Sequence, residues 1–167
     1  MSTDKRTFPA TAGRLSRIGR SVTASTAAAM VVGGLALLAP APSAHAAASD
    51  CEGGRNGFVD ISDNAYNIQA KAVTLWNEGI DISLQYGNVN GVQRGWALIA
   101  GDVQPGNSVW LDWSRDGGRT WIQCGPFVSK YGENKTSAAQ RTSSDPNWVF
   151  RACGSTRSGI HCTSPWW

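Results

Sequence analysis

The 167-residue sequence predicts an all-β fold, a small antiparallel β-sandwich of about seven or eight strands stapled by two disulfides. Three observations predict it. From Phe58 onward, short apolar runs recur at a period of two. Gly, Asn, Asp and Pro interrupt these runs, and no segment carries a 3.6-residue period. Finally, all four cysteines follow what reads as an export leader, and an even count in an exported chain implies a disulfide framework.

The leader is expected over residues 1–46. Lys5, Arg6, Arg14, Arg17 and Arg20 precede an apolar run from Ala27 to Ala39, and Ala44-His45-Ala46 offers small residues where a signal peptidase reads them. Cleavage after Ala46 leaves a single domain over 47–167, secreted and extracellular, with no membrane span. The leader holds five of the 15 basic residues and one of the 12 acidic ones. The remainder has a net charge of −1, so no electrostatic case for nucleic acid or anionic membranes survives.

In the expected domain, Ile68 to Trp76 and Ile80 to Tyr86 form a hairpin across Asn77-Glu78-Gly79. Ile80, Ile82, Leu84 and Tyr86 face the core and Asp81, Ser83 and Gln85 face water. "NVNGVQRG" reads as a loop and Trp96 to Ala100 as a strand. Pro105-Gly106 turns the chain into the strand Ser108 to Ser114, where Val109, Leu111 and Trp113 share one face and Trp110 and Asp112 the other. Arg119 to Cys124 follows, then a polar loop around a short edge strand, Thr136 to Arg141. The last hairpin joins Trp148–Cys153 to Gly159–Thr163 through "GSTRS". Four cysteines allow three connectivities. Cys153 with Cys162 would staple that hairpin, leaving Cys51 with Cys124 to tie the N-terminal part to the middle.

"SRDGGRTW", Ser114 to Trp121, fits S-x-D-x-G-x-T-W and resembles the Asp-box, a hairpin motif of sialidase-type propellers and other secreted proteins. Propellers need about four to eight blades, and one copy in so short a chain excludes that architecture. The residues serve a turn. Ser114 ends a strand, Asp116 accepts turn amides, Gly117 and Gly118 take positive φ, Thr120 restarts the chain, and Trp121 folds back over it. A wider resemblance joins "GWALIAGDVQPGNSVWLDWSRDGGRTW" to "FRACGSTRSGIHCTSPWW". In order and content these are similar to the N-terminal β-module of secreted actinobacterial mannan-degrading glycoside hydrolases of the α-toroid type. Trp113 stands where that module usually has arginine, and Cys124 is an addition. The resemblance implies an accessory module without the catalytic helical domain.

The chemistry in the sequence agrees with a non-catalytic role. A glycosidase needs two carboxylates across a cleft, and Asp112 with Asp116 is better explained by turn bonding and an arginine such as Arg119 or Arg151. A Ser-His-Asp set would have to use His161, with no nucleophile elbow beside it. "DISDN" lacks the spacing of a calcium loop, and the cysteines lack that of a zinc site. No catalytic residue, metal or cofactor is therefore expected. Of the eight tryptophans, Trp96 and Trp121 are assigned to the core. Trp110, Trp113 and Trp148, with Asp112, are the glycan-binding candidates, because flat indoles on a rigid sheet stack on sugar rings. The terminal Trp166-Trp167 is expected to be exposed. The expected partner is an extracellular polysaccharide. The alternative is a secreted protein, with the chain acting as a protease or glycosidase inhibitor that presents Arg157 at the tip of "GSTRSGI".

Overall fold

Residues 44–166 are described by the computed structural model, so the leader's basic and apolar stretches and Trp167 lie outside the described residues. The chain runs through β1 (Ala44–Ala46), α1 (Ala48–Glu52) and a 3-10 turn (Arg55–Gly57). The strands β2 (Ile68–Leu75), β3 (Ile80–Val89), β4 (Val92–Gly101), β5 (Ser108–Ser114) and β6 (Ile122–Val128) follow. Next come the short β7 (Lys135–Thr136) and β8 (Gln140–Arg141), then β9 (Val149–Thr156) and β10 (Gly159–Cys162). They form a sandwich of two sheets. The first is ordered β1-β6-β5-β9-β10; the second is β2-β3-β4-β7, with β8 also paired to β4. All pairings are antiparallel except β1 with β6.

The core lies between the inner faces. Val109, Leu111 and Trp113 of β5, with Phe150 and Ala152 of β9, meet Ile80, Ile82 and Leu84 of β3 and Ala97 and Ile99 of β4. Cys51 pairs with Cys124 and anchors α1 to β6; Cys153 pairs with Cys162 across β9 and β10.

Three expectations are corrected. "NVNGVQRG" is not a loop, because β3 and β4 continue to Val89 and Val92, and Asn90-Gly91 alone makes the reversal. Both turn residues have positive φ, 52° and 80°, the backbone that Asn-Gly supplies to a two-residue hairpin. The outer face of β3 is wet at Asp81 but not beyond it. Ser83 and Gln85 are buried beneath residues 59–67, where the Asn67 N–H donates to Gln85 Oε1 (3.2 Å) and Trp96 Nε1 donates to the Ala65 carbonyl (3.0 Å). Lastly, "GSTRS" shrinks to a two-residue turn, Arg157-Ser158, since β9 runs to Thr156 and β10 begins at Gly159.

Ala44–Ala46, assigned to the leader, is the edge strand of the first sheet. It pairs with Ile122–Cys124, and Ala46 belongs to the core. The expected leader thus overlaps the sheet by these three residues.

Candidate functional site

The Ser114–Trp121 segment closes a tight turn with its own side chains. Ser114 Oγ donates to Asp116 Oδ1 (2.7 Å) and accepts from the Gly118 N–H (2.8 Å). Asp116 accepts the N–H groups of Arg119 (3.0 Å) and Thr120 (2.9 Å) and the Thr120 hydroxyl (2.6 Å). The Thr120 hydroxyl and N–H, then Ser114, hold the Asp116 carboxyl far below its ordinary range. A carboxylate committed to four such bonds and this acidic is a structural acceptor, unsuited to proton donation near neutral pH. Trp121 lies against Gly118. It is partly buried instead of enclosed in the core, and the Arg151 guanidinium sits 4.4 Å from its ring centroid.

The glycan candidates drawn from the sequence are mostly inaccessible. Trp113 is 4 % exposed, and its ring is wedged between Phe58 (6.0 Å, edge-on) and Trp148 (4.8 Å). Trp148 packs on the core and Arg115 covers both indoles. The physical reason is that β5 is a middle strand, flanked by β6 and β9, so its inward face is sealed by the second sheet. Trp110 and Asp112 do lie on the outer face of β5, but Trp110 is only 8 % exposed. Asp112 is buried and receives Arg151 Nε (2.8 Å) and a terminal guanidinium nitrogen (2.7 Å), both on Oδ2. Burial pushes its carboxyl up, and the arginine opposes that rise. Trp166 stacks on Tyr86, with ring centroids 4.8 Å apart.

The accessible site is elsewhere, at the end of the sandwich where turns from both sheets meet. A cleft of about 890 Å³ is lined by Asn77 and Glu78 of the β2–β3 turn, Asp102 to Asn107 of the β4–β5 loop, Gly132, and Ser155 to Arg157. An adjoining hollow of about 430 Å³ is lined by Trp76, Glu78, Ser158 and His161, among others. Trp76 is 86 % exposed.

The turn that carries it is fixed in place. The Glu78 N–H closes it onto the Leu75 carbonyl (2.9 Å), and Glu78 Oε1 accepts the Ser158 N–H (3.1 Å) and the Thr156 hydroxyl (3.2 Å). Glu78 thereby ties the second sheet to the last hairpin of the first. These bonds, the Ser158 side chain foremost, hold its carboxyl below the usual glutamate range. The Asp102 carboxylate occupies the space where Gly79 lacks a side chain.

Ser158 Oγ and His161 Nε2 are 2.9 Å apart. Glu78, however, engages the serine side of this pair, and among the described residues no hydrogen bond orients the other imidazole nitrogen. The group therefore has the hydrogen-bonding capacity of a binding surface and lacks the relay of a nucleophilic triad. Among the described residues no cluster of His, Cys, Asp or Glu could hold a metal ion. The Asp63 of "DISDN" instead receives Lys135 Nζ (2.6 Å) and the Thr136 N–H (3.1 Å).

Sequence reasoning missed Trp76. The signal was present, since an indole at a strand end immediately before a turn has no neighbouring strand to cover it.

No family model, no curated protein and no solved structure matches this chain. Fold and site together define a disulfide-stapled β-sandwich with a polar, aromatic-flanked cleft at its loop end. No helix among the described residues is long and apolar enough to cross a membrane.

Proposed function

We propose that the chain is a secreted, non-catalytic module that binds polymeric glycan at the loop end of its sandwich. The observation that carries this reading is Trp76, 86 % exposed beside a cleft of hydrogen-bonding side chains. An indole left this open in a small domain costs hydrophobic stabilisation, and a flat platform beside amides and carboxylates suits the apolar face and hydroxyl rim of a pyranose. Glu78 and Asp102, set against Arg157, make the cleft net negative, favouring neutral or amino-bearing sugars over uronates. Support also comes from the motif order that resembles the accessory module of α-toroid hydrolases, with the Asp-box turn as a structural hairpin, and from two disulfides, which persist in oxidising compartments.

The inhibitor reading is weakened by the last hairpin. Its tip is a two-residue turn pinned to Glu78, with no extended segment to present Arg157 to an enzyme.

Retention on a panel of insoluble polysaccharides tests the proposal. The protein is expected to be retained by at least one neutral glycan, Trp76→Ala to lose about 90 % of that retention, and Ile160→Ala, which removes another exposed apolar side chain, to keep it. Retention on no polysaccharide, or equal retention by Trp76→Ala, sinks the reading.

A further inference from the structure

A second exposed aromatic residue neighbours the wall of the cleft. Gly132 forms part of its wall, close to the Val103 carbonyl and Pro105, and the next residue back along the chain is Tyr131, 88 % exposed. Trp76 and Tyr131 are the two most exposed large hydrophobic residues described, and they sit on turns that contribute to the same cleft or its adjoining hollow.

Their turns are built alike. As Glu78 clamps the Trp76 turn, Glu133 clamps the Tyr131 turn, accepting the N–H of Tyr131 (2.7 Å) and of Lys130 (3.1 Å). The Gly132 N–H donates to Ser129 Oγ (3.1 Å), and Ser129 is joined to Asn107, itself a cleft residue, by a backbone bond (2.8 Å). Its own backbone N–H, then that of Tyr131, holds the Glu133 carboxyl below its usual range. Each exposed ring is thus carried on a backbone ordered in advance, which spares a ligand the entropy of fixing it.

We propose that the cleft takes an internal stretch of a linear oligosaccharide lengthwise, with Trp76 and Tyr131 as stacking platforms at its two ends. This rests on the glycan-binding reading above and adds the chain form of the ligand. A cleft of about 890 Å³ is at the upper end of the range for small-molecule sites, more than one pyranose fills. Asn77, Glu78, Asp102 and Gln104, which line the cleft, would supply amides and carboxylates to the hydroxyls of the intervening rings.

The test is calorimetric titration with cello-, manno-, xylo- and N-acetylchito-oligosaccharides of two to six residues. For the series that binds, the hexamer is expected to bind about tenfold tighter than the dimer. Tyr131→Ala should abolish that gain while leaving the dimer unchanged, and Tyr131→Phe should keep it, because stacking needs the ring and not the hydroxyl. Equal affinity for dimer and hexamer overturns the proposal, as does a Tyr131→Ala effect that is absent or equal at all lengths. In those cases Trp76-dependent retention on polysaccharide would leave the glycan reading standing; binding of no saccharide at all removes both.

Discussion

Replacing Cys51 and Cys124 together by alanine is expected to lower the free energy of unfolding by about 4 kcal/mol, read from urea melts of the variant and the parent protein. The cross-link joins residues 73 apart, and its effect in the chain-entropy account grows with the logarithm of the loop it closes. Net stability of small domains is about 5–15 kcal/mol, so this is a large fraction of the whole. The structure shows what would come loose. Beyond the disulfide, α1 and the 3-10 turn are flanked by few buried side chains, chiefly Ala46 before them and Phe58 after. Opening Cys153–Cys162, which spans nine residues within one hairpin, should cost less, about 2.7 kcal/mol. A Cys51/Cys124 variant that loses under 2 kcal/mol, or less than the Cys153/Cys162 variant, would show that packing alone holds the N-terminal segment.

Arg151→Ala is the second large effect, about 3 kcal/mol at neutral pH. Removing the guanidinium leaves the Asp112 carboxylate buried with neither oxygen partnered, since Oδ1 already has none among the described residues. The sign with pH follows from the direction of the shift. Burial raises the folded-state pKa of Asp112, so the neutral form is easier to keep folded. The deficit of Arg151→Ala is therefore smallest below the unfolded carboxylate pKa of about 3.9 and grows as pH rises through the raised folded value. Adding Asp112→Asn should restore part of the loss, because a neutral amide is cheaper to bury. A deficit independent of pH, with no recovery in the double variant, would place the cost in the lost stacking of Arg151 on Trp121.

How much of this was legible in the sequence depended on the range over which each feature is determined. The strand Ser108–Ser114 was found to the residue, because its turn signals and alternation are local. The second sheet's outer face was misjudged, because Ser83 and Gln85 look wet until residues 59–67 are laid across them. Trp113 was offered as a platform although it shares a face with Val109 and Leu111. Its apolar company was visible in the spacing, but the presence of strands on both sides of β5 was not. The site was least legible. Trp76, Asp102, Gly132 and Arg157 lie on four separate connections, and no spacing in the chain marks them as neighbours.

The turns that carry Trp76 and Tyr131 are held by a different kind of interaction from the sandwich beneath them. Their order comes from solvent-facing hydrogen bonds to Glu78 and Glu133, whereas β3 and β5 are ordered by buried apolar contact, so the two parts need not melt together. Both carboxyls are held below the ordinary glutamate value, so the clamps stay formed above it and loosen only as pH falls through the lowered folded values. Amide hydrogen exchange at falling pH, corrected for intrinsic rates, should show protection at Tyr131 and Ser158 vanishing while that at Ile82 and Leu111 persists. Acid is expected to loosen the turns that carry Trp76 and Tyr131 while the sheets beneath them stay ordered.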